Sequence, residues 1–332
     1  MGVWRIGADE LADSRFAVSP LLETVGALLV LQRGRPRLDL QDWYRTHRPA
    51  YRRLLAEDPT LPALLDGLFR PRWIADFIIP PPDPADRTFH DTLRRVRAAP
   101  PPTVRAVLRD GFGGAIPQPL RRVDVAARSA ELLAWVWTET VRADWPRRRR
   151  ILEADIVART SQLTTGGWNA ALARMRPGMR WLGSNQLQIN AYDYPPRNLA
   201  GAQLSFVPNT SPYGWVAWDD ANRYAVIYPC TGTLTEAGRP AERTLARLLG
   251  PARAVILTAL DTPQSTTQLV ALTGYRLGSV GGHLKVMREA ALVTRRRAGR
   301  SVLYLRTALG NRLVDASATV RSAATPRERP RH

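Results

Sequence analysis

A group of residues near the C-terminus has the types and spacing to hold a polyanion. Arg276, Ser279, Gly281, Gly282, His283 and Lys285 fall in or beside one stretch of helical periodicity, Leu277 to Ala290. Arg295, Arg296, Arg297 and Arg300 crowd the segment that follows. Guanidinium and ammonium groups donate to phosphate oxygens and base edges, a hydroxyl reaches either, and glycine admits close backbone approach. The chemistry implied is hydrogen bonding to double-stranded DNA rather than bond breaking. His283 reads equally as a packed structural histidine and as a DNA contact. Gly281 and Gly282, each costing a helix interior about 1 kcal/mol relative to alanine, read equally as close approach to DNA and as drift with weak readout. Arg276 falls in the N-cap slot, where a cation faces the positive end of the helix, so its task lies outside the helix.

A second group is aromatic. Tyr192, Tyr213, Trp215 and Trp218 lie in a region of alternating strands, and alternation puts Trp215 and Ala217 on one face, Val216 and Trp218 on the other. Most such rings belong to a core, but one tryptophan on each face leaves at least one free to line a cleft for a planar or apolar small molecule. No catalytic signature is present: there is no His-Glu-x-x-His, phosphate-cradling glycine loop, dinucleotide fingerprint or nucleophile elbow. Glu153 and Asp155 stand two apart on a predicted helix and so do not share a face. The run Arg147-Arg148-Arg149-Arg150 reads as a solvated helix face, with a second DNA contact as the alternative. The expectation is a binding protein and not an enzyme, with no cofactor and no metal.

The elements that must position these groups are legible in order. Leu245, Leu248 and Leu249 make an apolar stripe, and Ala254, Leu257 and Leu260 continue a second helix after Gly250-Pro251. Ser265-Thr266-Thr267-Gln268 fits a capping box opening a short helix through Leu272, and Gly274 supplies the turn. Val280, Leu284 and Met287 give the next helix its buried face, leaving Ser279, Gly282, Lys285 and Val286 opposite. Leu292–Arg297 and Ser301–Arg306 flank a hairpin signal at Ala298-Gly299. This succession is a winged helix-turn-helix, in which the second helix of the pair enters a major groove. The alternative for the arginines is an edge strand kept soluble by charge.

Upstream, Ser19-Pro20 opens a run of helices broken at Pro80-Pro81-Pro82 and Pro100-Pro101-Pro102. Two longer helices are expected over Ser129–Trp145 and Arg147–Thr165. Strands over 187–191, 203–207, 214–218 and 224–228 read as a small antiparallel sheet. The expected fold is α+β: a mainly helical N-terminal region with a small antiparallel sheet, residues 1–238, then a winged helix-turn-helix domain, 239–322, and a disordered basic tail, 323–332. Thr231–Pro240 reads as the hinge between the two.

Charge points the same way. The chain of 332 residues carries 48 Lys and Arg against 29 Asp and Glu, and Lys285 is the only lysine. Residues 241–332 hold 16 of these cations against 5 acids, a net of +11, whereas the preceding 240 residues net +8. Uniform codon drift would not concentrate charge so; a nucleic-acid footprint would. Cys230 is the single cysteine, which fits a reducing cytoplasm. The N-terminus carries Asp9, Glu10 and Asp13 where a signal peptide needs an apolar run, and Ala17–Leu31 is interrupted by Glu23. The protein is expected to be cytoplasmic, with no membrane partner.

Leu248-Leu249-Gly250, Ser265 to Leu269, Val280 with His283 to Val286, Glu289 to Val293 and Arg297 to Tyr304 resemble the ArsR/SmtB family of transcriptional regulators over roughly residues 241–315. Phe16 to Thr24 and Val226-Ile227-Tyr228-Pro229 resemble the long N-terminal region of uncharacterised ArsR-like regulators from high-GC bacteria. The resemblance implies a repressor that dimerises through the first and last helices of the winged domain, with Leu309, Leu313 and Val320 at the interface, and reads an inverted repeat. It does not extend to the family's metal sites. Thr266-Thr267-Gln268 contains no cysteine, and Asp315 has no nearby histidine. The effector, where there is one, is then not a metal.

Overall fold

A computed structural model describes residues 2–71, 73–172, 175–192, 194–230, 240–260, 263–273, 275–298 and 301–319. The chain is mixed α/β, largely helical with several small sheets, and divides into two compact units, Met1–Thr233 and Leu234–His332. Of the expected hinge, Thr231–Pro240, residues 231–239 lie outside the described residues, as do the turn at Gly274, the hairpin residues Gly299 and Arg300, Val320 and the basic tail, while Pro240 itself begins a helix.

The front unit begins with β1 (Gly2–Arg5), α1 (Ala8–Ala12), β2 (Arg15–Phe16) and α2 (Pro20–Arg33). It continues through α3 (Gln41–Glu57), α4 (Thr60–Leu68), the short pair β3 (Phe69–Arg70) and β4 (Trp73–Ile74), α5 (Phe89–Arg97) and α6 (Pro101–Phe112). Then come α7 (Val125–Val136) and α8 (Trp145–Leu172), followed by β5 (Arg180–Gly183), β6 (Gln186–Asn190), β7 (Arg197–Asn198), β8 (Gln203–Asn209), β9 (Trp215–Trp218) and β10 (Arg223–Pro229).

Helix α2 is the axis of this unit. Ser19 caps it, its hydroxyl accepting from Leu22 N at 3.2 Å, with proline in the first turn. Every residue from Leu21 to Leu31 is buried, as expected of a helix apolar all round. Its one acid, Glu23, is 1% exposed and meets Arg148 of α8, also 1% exposed. Arg148 Nη1 donates to Glu23 Oε1 at 2.6 Å and to Thr210 Oγ1 at 2.9 Å. Thr210 N donates to Glu23 Oε2 at 2.9 Å, and the guanidinium carbon stands 5.1 Å from the Trp43 ring centre. The expectation of a solvated arginine run is therefore wrong at its second member: Arg149 reaches Glu153 on the surface, but Arg148 turns inward. One turn on, Asn209 Nδ2 donates to Leu22 O, and a Cβ at Gly26 would stand 2.3 Å from Asn209 Oδ1. Gly26 is thus required for the close approach of α2 to the end of β8.

The sheet differs from expectation. There is not one antiparallel sheet but two mixed four-stranded sheets, in the orders β5-β6-β1-β7 and β2-β8-β10-β9, each taking a strand from the N-terminus. β8 and β10 pair in parallel because β9, which connects them, crosses to the far side of β10. Trp4, Leu187, Phe206 and Tyr228 from the two sheets share a core with Ile6, Leu172 and Met175. The helix boundaries also shift. Asp124 caps α7, accepting from Ala127 N at 3.0 Å, so that helix starts before Ser129. It gives way after Val136 to a π turn, Trp137–Val141, and Trp145 opens α8, which is broken at Gly167 (φ 66°, ψ −171°). Pro101 and Pro102 begin α6 rather than merely separating helices.

The second unit contains α9 (Pro240–Leu249), α10 (Pro251–Ala259), β11 (Gln264–Ser265), α11 (Thr266–Thr273), α12 (Leu277–Glu289), β12 (Val293–Ala298), β13 (Ser301–Arg306) and α13 (Ala308–Thr319). The capping box forms in both directions: Ser265 N donates to Gln268 Oε1 at 2.6 Å and Gln268 N to Ser265 Oγ at 3.2 Å. Val280, Leu284 and Met287 pack with Ile256, Leu257 and Leu269 in one core. The expected stripe on α9 is broken: Leu245 is buried and Leu249 packs inward, but Leu248 is 68% exposed.

Arg148→Met leaves Glu23 buried without its cation, a change that typically costs about 3–5 kcal/mol. The pair of substitutions Glu23→Gln and Arg148→Met should cost less than Arg148→Met alone. All ten tryptophans precede residue 219, so denaturation followed by tryptophan fluorescence reads the front unit alone. A single variant as stable as the parent would contradict this role.

Candidate functional site

Two places in the molecule bring the expected residues together. The first is the outer face of α12 with the neighbouring hairpin. β12 and β13 pair antiparallel, with Val293 opposite Arg306 through Ala298 opposite Ser301. β13 also pairs with β11, which joins the hairpin to the start of α11. Arg295, Arg296 and Arg297 are all exposed on β12. On α12, Ser279, Gly282 and Lys285 are exposed while Val280, Leu284 and Met287 face the core.

Arg276 is the N-cap residue of α12, is exposed, and makes no capping hydrogen bond. His283 is half-buried, 3.3 Å from Ser279 Oγ and 6.5 Å from the Tyr275 ring centre, so it stands at the margin between packing and surface. A Cβ at Gly278, Gly281 or Gly282 would meet nothing within 4 Å. Packing within the unit therefore does not ask for glycine at any of them. Leu277 (60% exposed) and Val286 (40%) add apolar contact area to the same face.

The second place is a cavity of about 610 Å³ in the front unit, bordered by all four expected aromatics, Tyr192, Tyr213, Trp215 and Trp218. Trp215 and Trp218 do lie on opposite faces of their strand, as alternation requires; β9 is the edge strand of its sheet, so residues of both faces border one cavity. The walls come from many elements. Trp4 stands on β1, Trp73 on β4, Arg33 at the end of α2 and Tyr213 in the loop after β8. Arg33 lies over the Tyr213 ring at 4.7 Å and Arg197 over the Trp218 ring at 4.0 Å, so both cations are engaged in holding aromatic faces.

Two ionisable members of this cavity go beyond the sequence reading. Arg176 follows α8, and its Nη1 is buried without a hydrogen-bond partner among the described residues. Burial pulls its pKa down to about 10, partly opposed by Tyr192, which leaves it cationic at neutral pH. Asp76 borders the cavity from a 3₁₀ turn, and burial pushes its carboxyl up to about 6, with Arg197 pulling the other way. Neither has a signal in the sequence: Arg176 stands amid many arginines, and apart from Trp73 and Ile74 the cavity neighbours of Asp76 are far from it in sequence.

Among the described residues, no group of three or more His, Cys, Asp or Glu side chains is placed to hold a metal ion, and no helix is long and apolar enough to cross a membrane. The chain matches no protein-family model, and no curated protein is significantly similar to it. The likeness to ArsR/SmtB regulators therefore rests on sequence motifs alone, those of residues 241–315 above all.

Because the folded protein holds Asp76 protonated more readily than the unfolded chain does, stability present at pH 4 is lost as the pH rises through about 6. Asp76→Asn removes that loss. The variant should gain on the order of 2 kcal/mol over the parent at pH 8 and almost nothing at pH 4. Thermal unfolding at the two pH values checks this, and an equal gain at both would refute the titration.

Proposed function

We propose that this protein is a sequence-specific DNA-binding transcriptional regulator of the repressor type, acting as a homodimer through a winged helix-turn-helix. In this reading α11 and α12 are the helix pair, α12 enters the major groove, and the β12–β13 hairpin is the wing. The observation that carries it is the pairing of an α12 outer face left open, with Ser279, Gly282 and Lys285 exposed, and three exposed arginines on the adjoining strand. Lys285 and Ser279 read base edges; Arg276 and the wing arginines hold phosphates. The open space over Gly281 and Gly282 supports close approach of the helix backbone to the groove.

The same open space favours a second reading, a non-specific architectural DNA-binding protein, since two glycines offer no side chain for readout. A third class, an enzyme tethered to the DNA-binding unit, has no catalytic motif to support it. In the leading reading the second copy docks where α13 packs on α9, because Leu248 and Leu309 (45% exposed) are left apolar there. Leu313 is half-buried against its own core and contributes less than expected. The front-unit cavity is the site of a small-molecule effector.

Binding to the chain's own upstream DNA and to random DNA of equal length, at two salt concentrations, separates the two DNA readings. The regulator predicts a specificity ratio of about a thousandfold or more; equal affinities favour the architectural protein. Replacing Arg295, Arg296 and Arg297 by alanine should weaken binding on both probes alike. It should also flatten the slope of log K against log salt by about 0.9 for each phosphate no longer neutralised. An unchanged slope removes the hairpin from the interface. Leu248→Glu with Leu309→Glu should yield monomers in sedimentation velocity, and an intact dimer would place the interface elsewhere.

A further inference from the structure

The cavity wall carries more specific chemical information than its aromatic rings. Three polar atoms of its lining residues are buried without a hydrogen-bond partner among the described residues: Arg176 Nη1, Trp215 Nε1 and Tyr213 Oη. A guanidinium and an indole N–H can only donate, and a phenol can donate. Buried donors left unpaired are rare in folded proteins, and each marks a place where a partner is missing. The missing partner must therefore supply acceptors, and the cation among the donors asks for negative charge.

We propose that the cavity binds a planar aromatic monocarboxylate, its carboxylate on Arg176 with Tyr213 and Trp215, its rings between the aromatic walls. This rests on the reading of the cavity as an effector site and names the ligand class. Size is consistent: about 610 Å³ lies in the range of small-molecule pockets, and it exceeds what a single ring fills. Trp4, Trp73, Trp215 and Trp218 line the space, so an aromatic body finds ring contacts that an aliphatic chain would not use. A single negative charge is favoured over two. The other cations at the wall, Arg33 and Arg197, are occupied on Tyr213 and Trp218, and the carboxyl of Asp76 repels a second negative charge.

The loop from Thr210 to Gly214 gives this site a fixed frame. Thr210 is bound to Glu23 in the buried ion pair, Tyr213 N donates to Ser211 Oγ at 3.3 Å, and Gly214 lies against both Ile227 O and the Arg176 guanidinium. Tyr213 and Trp215 thereby border the cavity together with Arg176 on a loop whose backbone is already fixed, which lowers the ordering cost of binding.

The test is isothermal titration of the full chain, without DNA, with benzoate, 2-naphthoate and anthracene-2-carboxylate, and with 2-naphthylmethanol as the neutral counterpart. The expected result is one 2-naphthoate per chain, bound about tenfold or more tighter than the neutral alcohol and tighter than benzoate. Arg176→Gln should weaken 2-naphthoate about tenfold or more and change the alcohol less than about twofold. Tyr213→Phe, which removes only the hydroxyl, should weaken 2-naphthoate severalfold and serves should Arg176→Gln not fold. Three results would overturn the assignment: carboxylate and alcohol binding alike, variants that bind 2-naphthoate as the parent does, or no saturation by any carboxylate at millimolar concentration. DNA affinity of the same preparation is read separately. Carboxylate binding with no DNA binding overturns the regulator alone, and specific DNA binding with no carboxylate binding overturns the ligand alone.

Discussion

The buried pair of Glu23 and Arg148 is the constraint on which the front unit depends. It joins α2, α8 and the loop after β8, segments separated by up to 187 residues, at one point with almost no water. Two charges taken out of solvent are costly to bury, and the geometry must return that cost through short, multiple hydrogen bonds. Thr210 gives both its amide and its hydroxyl to Glu23, and Trp43 offers its ring to the guanidinium, whose Nε and Nη2 have no hydrogen-bond partner among the described residues. Removal of any one member leaves the others buried and uncompensated.

That constraint reaches the cavity. The loop pinned at Thr210 carries Tyr213 and Gly214 to the cavity wall and delivers the chain into β9, where Trp215 and Trp218 stand. The same α2 that holds Glu23 ends at Arg33, over the Tyr213 ring. Arginine recurs throughout the unit in roles lysine fills poorly. Arg197 stacks on Trp218 and Arg159 on Tyr228, while Arg95 spans Asp86 and Asp219 with two nitrogens. Much of the front unit's positive charge is thus absorbed into structure, whereas the arginines of β12 in the second unit remain exposed.

Legibility in the sequence follows the range of the interactions. The second unit reads nearly element by element because its signals are local: a capping box spans three residues, the α12 core face repeats within one helix, and a hairpin declares itself at its turn. Leu248 departs from its stripe because a periodic pattern does not say where along it the core stops. In the front unit the four pocket aromatics are visible as types and spacing, but Arg176 and Asp76 are not, since burial of a charged group at a cavity wall has no sequence signature. Nor does any local pattern disclose that Gly2–Arg5 joins β6, or that β8 and β10 pair in parallel although β9 lies between them in sequence. Arg148 is hidden within a run of four arginines, where only the partner 125 residues away distinguishes one from its neighbours.

In the proposed regulator, α12 and the hairpin read a DNA sequence as a symmetric pair. Selection of binding sites from a random duplex pool by the full chain tests it most directly. The account predicts enrichment of an inverted repeat whose half-sites are centred about one helical turn, roughly 10 bp, apart. Retention of DNA with no enriched motif would contradict it, leaving the second unit as a binder of phosphate backbone alone.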